Sequence, residues 1–308
     1  MKKELFLSII ICVLILLGLN FKDEIVNIAM KEYTQHKTVV YPKSNDYYAD
    51  IDFELVKRTD QFHATSYQNI LDIIYTLLDN GTTEFTFYCD DTYDECINDF
   101  DKISQDQILL STINNMVSPF NSYKKIYFKR TAYGQITMKI DKLYSDDDIN
   151  AVNDRIDSFI ASNITEEMTA KEKIKAFHDF LINNSVYDKE KAAVIENGGE
   201  TDFSNSHKAI GPLVDGLSLC SGYSDAMKIF LDKLGITNYK ISNSRHIWNL
   251  VYIDGSWLHL DLTWDDPITT TGENILLHNF FLIDTDALLK LDAEGHNYNP
   301  DYYKELSH

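Results

Sequence analysis

The chain has 308 residues, enough for two modest domains, and its 44% apolar share is ordinary for a globular protein. Its 48 acidic residues against 28 basic ones leave a formal net charge of −20, which argues against nucleic-acid binding, since that needs a basic face. Glycines and prolines are few and no internal repeat or low-complexity segment occurs, so fibrous and disordered classes are set aside.

Lys2 and Lys3 precede an apolar run from Leu5 to Leu19, which ends near Phe21 before Lys22, Asp23 and Glu24. The run is near the minimum length for a membrane span, is longer than the core of a signal peptide, and is followed by no small-residue cleavage signal. Residues 1–24 are therefore expected to be a signal anchor that holds the chain in the membrane, with a removed signal peptide as the alternative. The leading lysines put the N-terminus inside and the body outside. Cys12 lies in the run, Cys89 and Cys96 are close together, and Cys220 stands apart. In an oxidising compartment Cys89 and Cys96 could bond, and their spacing leaves two free thiols equally open.

Residues 25–50 are polar around Pro42-Lys-Ser-Asn-Asp and read as a spacer. Residues 51–145 read as a small α+β domain. A helix starts at Thr65 or Ser66, runs through Ile70, Ile73, Ile74, Leu77 and Leu78, and stops at Gly81. Glu84 to Cys89 is a strand, Gln105 to Met116 a helix, and Lys124 to Lys129 with Gly134 to Ile140 a hairpin around Ala132-Tyr133. No catalytic constellation is visible there.

Residues 146–308 form the expected second domain. Asp146, Asp147 and Asp148 crowd the first turn of a helix running to about Ser162, where the helix dipole favours carboxylates. Thr169 with Glu172 is a capping box, and Ile174, Phe177, His178, Leu181 and Ile182 make one apolar stripe behind it. His178 reads as a packed or capping histidine.

Cys220 opens the next helix. Met227, Phe230, Leu231 and Leu234 recur at helical spacing and Gly235 supplies the stop, so residues 221–234 pack on one face. The thiol then sits where unpaired backbone N–H groups and the positive end of the dipole point, a setting that favours the thiolate. Further on, Asp254-Gly255 is a two-residue hairpin turn that pairs Tyr252 with Trp257, Leu250 with His259 and Trp248 with Asp261. His246 is then diagonal to Asp261 on one face, roughly 7–8 Å apart between backbones, a gap their side chains can bridge. The opposite face carries Ile247, Val251, Leu258, Leu260 and Leu262 and is apolar apart from Asn249, so one face is expected to be core and the other a site. Cys220 as nucleophile, His246 as base and Asp261 as its orienting carboxylate make a candidate triad. Two other readings stay open: a zinc site drawn from Cys220, His246, His259 and Asp261, although close ligand pairs are missing, and a surface interaction protein without chemistry.

These residues resemble the transglutaminase-like superfamily, the papain-related group with a Cys-His-Asp triad. The likeness is carried by Cys220, Gly222 and Tyr223; by His246, Trp248 and Asn249; and by Asp261, Thr263, Trp264, Asp265 and Asp266. It extends upstream through Glu172 to Leu181 with Tyr187 and Asp188, and downstream through Phe280, Phe281, Leu282, His296 and Pro300, covering about residues 165–305. The chain departs from the pattern at Ser242-Asn-Ser-Arg245 and at Lys208 to Leu213. The resemblance implies an α+β fold in which the cysteine helix packs on an antiparallel sheet. It implies acyl transfer or hydrolysis at amide bonds through a thioester, without a cofactor or metal, on protein or cell-wall peptide substrates outside the cell membrane.

Overall fold

A computed structural model describes residues 21–199, 203–267 and 275–307. The expected anchor lies outside the described residues, among which no helix is long and apolar enough to cross a membrane. In chain order the described elements are α1 (Lys22–Gln35), β1 (His63–Ala64), α2 (Tyr67–Asp79), β2 (Glu84–Cys89), α3 (Cys96–Gln105), α4 (Gln107–Met116), β3 (Tyr123–Arg130) and β4 (Gln135–Lys142). There follow α5 (Asp146–Asn163), α6 (Ala170–Asn184), β5 (Val186–Tyr187), α7 (Lys189–Glu196), β6 (Leu217–Ser218), α8 (Cys220–Lys233), β7 (Asn238–Ser242), β8 (Ile247–Ile253), β9 (Ser256–Leu260), α9 (Leu262–Asp265), β10 (Phe281–Ile283) and α10 (Thr285–Asp292). The architecture is mixed α+β, with one four-stranded sheet in order β1-β2-β4-β3, a second in order β10-β9-β8-β7, and a short parallel pair β5-β6.

Local chemistry explains most boundaries. The Ser66 hydroxyl accepts from the Asn69 amide to start α2, and Gly81 ends that turn at φ +70°, a conformation glycine adopts without strain. The expected capping box of Thr169 with Glu172 forms on α6, and a second, of Ser145 with Asp148, forms on α5, each satisfying two amides that the helix leaves open. The helix expected over Gln105 to Met116 forms as α4 from Gln107, because the Asp106 carboxylate accepts from the Leu109 amide and caps it, while α3 ahead of it is a further helix that was not expected. The stretch read as a spacer is helical at its start. No proline or glycine interrupts residues 22–41, and Asp23 and Glu24 occupy the first turn of α1, where the dipole favours them. Cys89 and Cys96, whose spacing left a bond and two free thiols equally open, are bonded to each other and close a small loop between β2 and α3.

The second sheet positions the site. Its hairpin has the expected register, Tyr252 opposite Trp257 and Leu250 opposite His259, but the ladder ends at Asn249 opposite Leu260. Asp261 does not pair with Trp248; it leaves the strand and caps α9. The expectation that one face is core and the other a site is also corrected, because both faces are core. Tyr239, Ile241, Trp248 and Leu250 join the apolar cluster of the N-terminal half, with Phe53, Ile70 and Ile74. Val251, Ile253 and Leu260, on the other face, join α8 through Met227 and Phe230. The site is built where the chain departs from the sheet, not on its surface.

Candidate active site

Cys220 is the first residue of α8, and no side chain caps that terminus, since the preceding residue is Leu219. The thiol is partly exposed and not bonded to another cysteine. Gly222 lets the helix start lie this deep. A Cβ there would stand 2.5 Å from the Ser206 carbonyl oxygen and 3.0 Å from that of Lys208, both backbone atoms that cannot step aside. Tyr223 anchors the same turn from inside: its buried hydroxyl donates to Asp266 at 2.7 Å and accepts from Ser185 at 2.9 Å. Asp266, just beyond the triad carboxylate in the chain, thus fixes Tyr223 beside the cysteine.

His246 comes off a tight turn just ahead of β8. The Asn243 side chain accepts from the amides of Arg245 and His246, both at 2.9 Å, and its NH₂ donates to the Gly295 carbonyl at 2.7 Å. The segment Ser242 to Arg245, which lacks glycine, is therefore held by an asparagine side chain. Arg245 itself is exposed. The imidazole stacks on Trp248, with ring centres 5.4 Å apart, and meets the edges of Trp264 and His296.

Asp261 is fully buried and uses both oxygens. Oδ1 accepts from the Thr263 and Trp264 amides at 2.9 and 3.3 Å, capping α9. Oδ2 lies 2.5 Å from His246 Nε2 and 2.9 Å from His296 Nε2. With Nε2 on the carboxylate, the other ring nitrogen of His246 is left for the thiol, and Cys220 lies close enough to favour the charged imidazole. Burial works against the charged ring, but the Asp261 carboxylate, its hydrogen bond and the neighbouring Cys220 outweigh it and raise His246 to about 10. Burial likewise penalises the Asp261 anion, and the two histidines overcome this and hold it well below the ordinary carboxylate range. An imidazolium–carboxylate pair is the resting state this geometry favours.

The structure thus brings Cys220, His246 and Asp261 together. It does not bring His259 to them: that ring accepts from Trp248 Nε1 at 3.0 Å and contacts Thr285 Oγ1 at 3.1 Å, on the face turned to the N-terminal core. The four-residue zinc set is therefore not assembled.

Two residues at the site were not singled out for a role. His296 is buried, bonded to Asp261 on one side and to Asp292 at 3.1 Å on the other. Tyr187 is half-buried on β5, and burial, then the nearby Cys220, raises its hydroxyl well above the usual range. Only their place in the resemblance marked them; nothing in their local spacing could. The segment Lys208 to Leu213 lines the back of the helix start, with Lys208 paired to Asp148 at 2.8 Å and the Ala209 amide donating to the Tyr144 hydroxyl at 2.6 Å.

No family model matches the chain, and no curated protein matches it. A solved structure described as "Crystal structure of a TGase" is similar to it, with a TM-score of 0.36 and 18% identity over 50% of this chain and 47% of that one. The chain thus spans about half the length of that structure.

Proposed function

We propose that this chain is a thiol enzyme of the transglutaminase-like kind, acting on amide bonds of proteins or peptides through Cys220, His246 and Asp261. The observation that carries the reading is the arrangement of groups: a buried carboxylate bonded to His246 Nε2, and beside that imidazole a free thiol at an uncapped helix start. The sulfur passes its proton to His246 and attacks the amide carbonyl carbon. The oxyanion that forms faces the open first-turn amides of α8, where the dipole stabilises negative charge. His246 returns the proton to the nitrogen as the C–N bond breaks, so ammonia or an amine leaves and a thioester remains. An amine acceptor then gives a cross-link, and water gives hydrolysis or deamidation.

The same reading puts the catalytic half outside a cell membrane, anchored by the apolar N-terminal segment. The Cys89–Cys96 bond supports export, since such bonds persist in oxidising compartments.

The test compares wild type with Cys220→Ala on mixed glutamine-bearing peptides, with and without a primary amine, read by mass spectrometry. Amine adducts from wild type alone establish transglutamination, and cleavage or deamidation establishes hydrolysis. Identical blank spectra from both proteins, with Cys220 reduced, would favour a surface interaction module that keeps the fold without the chemistry.

A further inference from the structure

We propose that His178, Asp179 and His278 form a binding site for one divalent transition-metal ion, separate from the Cys220 site. One donor atom from each residue lies within 4.8 Å of the others. Asp179 Oδ1 sits between the rings, 3.0 Å from His178 Nδ1 and 2.6 Å from His278 Nε2. Donors about 2.0–2.1 Å from a tetrahedral ion stand roughly 3.3 Å apart, so the Asp179–His178 pair needs to open by only about 0.3 Å and the Asp179–His278 pair by about 0.7 Å. Two imidazoles and a carboxylate suit zinc and its first-row neighbours, whereas magnesium and calcium prefer all-oxygen sets.

The second observation is the outer support. His178 is fully buried, and its far nitrogen Nε2 lies 3.3 Å from Asp265 Oδ2, itself buried. A metal-binding histidine commonly donates its other N–H to a carboxylate, which fixes the ring and leaves the inner nitrogen's lone pair for the ion. Asp265 is fixed in turn, its Oδ1 accepting from the Phe280 amide at 3.0 Å. A neutral ring donates from one nitrogen only. If His178 donates to Asp265, its Nδ1 lone pair faces the Asp179 carboxylate, and a cation between them resolves that opposition. Lys175 takes the other Asp179 oxygen at 2.5 Å, which leaves Oδ1 to the histidines. The side chains of Asp179 and His278 keep 26% and 35% of their surface exposed, so an ion has an entry path and room for a water.

The consequence is mechanical. The ion would clasp α6 to the segment before β10, and Asp265 would carry that restraint into α9, whose cap is Asp261. The predicted role is to stiffen the support of the triad carboxylate.

The test is calorimetric titration of the full chain with Zn²⁺ after chelation, in a Cys220→Ala background that removes the thiolate as a ligand. We expect one equivalent bound, weakened more than about 100-fold by His278→Ala and about 10–100-fold by Asp265→Asn, and retained in His246→Ala. The partly exposed His278 makes its alanine variant a mild change, and an unaltered far-UV spectrum checks that it is folded. No uptake by the parent protein would overturn the proposal. So would loss in His246→Ala with His278→Ala binding like the parent, because the ion would then sit at His246, Asp261 and His296.

Discussion

The two faces of the second sheet are both buried, yet they are built from different materials. The face turned to the N-terminal half is packed with Tyr239, Ile241, Trp248 and Leu250 against aliphatic and aromatic partners. The face turned to α8 includes Asn238, Lys240 and Asn249, all buried. There Lys240 pairs with Asp225 at 2.6 Å, Asp225 accepts from Tyr144 at 2.8 Å, and the Asn249 amide donates to the Ser224 carbonyl at 3.0 Å. Apolar packing tolerates repacking, whereas buried polar pairs fix one register and one distance. The apolar face holds the halves together, and the polar face sets where the cysteine helix lies relative to His246.

The largest break in that comparison is chemical. Asp261→Asn should cut turnover by about 10²–10⁴-fold, because an amide cannot stabilise the imidazolium. Steady-state kinetics on whichever peptide the product screen identifies would check this, and a change below threefold would deny the carboxylate its role. Next is the polar face: Lys240→Met strands Asp225 without its cation and should cost about 3–5 kcal/mol in urea unfolding. On the apolar face, Ile74→Ala should cost about 2–5 kcal/mol and leave the labelling rate of Cys220 within twofold, which alkylation kinetics would show.

The smallest effect is in pH. His246 is raised to about 10 in the folded chain, from about 6.5 unfolded, so its share of the pair's stability is complete below about pH 6.5 and lost as pH rises through about 10. Asp261 is depressed, so its share is present above about pH 3.9 and lost as pH falls below that value. The stability difference between wild type and His246→Gln should therefore be greatest between about pH 4 and 6.5 and shrink on either side. A difference that is flat with pH would mean the pair is not charged.

Much of this was legible in the residues. The capping box at Thr169, the acids opening the helix from Asp146, the Asp254-Gly255 turn, and the stripe behind Cys220 are local signals, and local signals report local structure. Cys220, His246 and Asp261 could be found because the turn fixes the register that brings the last two near each other. What failed was non-local. Period-two alternation distinguished the two faces but could not tell that the N-terminal half covers the Trp248 side. Asp261 looked like strand because the alternation runs through Leu262, while its own carboxylate bends the backbone into a cap. His296 and Tyr187 arrive from distant segments, and no spacing rule reaches them. Asn243 replaces glycine by bonding two amides with one side chain, an effect visible only in three dimensions.

The most direct test is the rate at which a thiol-directed reagent labels Cys220 at neutral pH in wild type and in His246→Ala. With Cys89 and Cys96 bonded to each other, peptide mapping follows Cys220 cleanly. The account predicts labelling at least about tenfold faster in wild type, because the imidazole draws the thiol proton. Equal, slow labelling in both would contradict it, and Cys220 would then be a structural residue at the head of its helix.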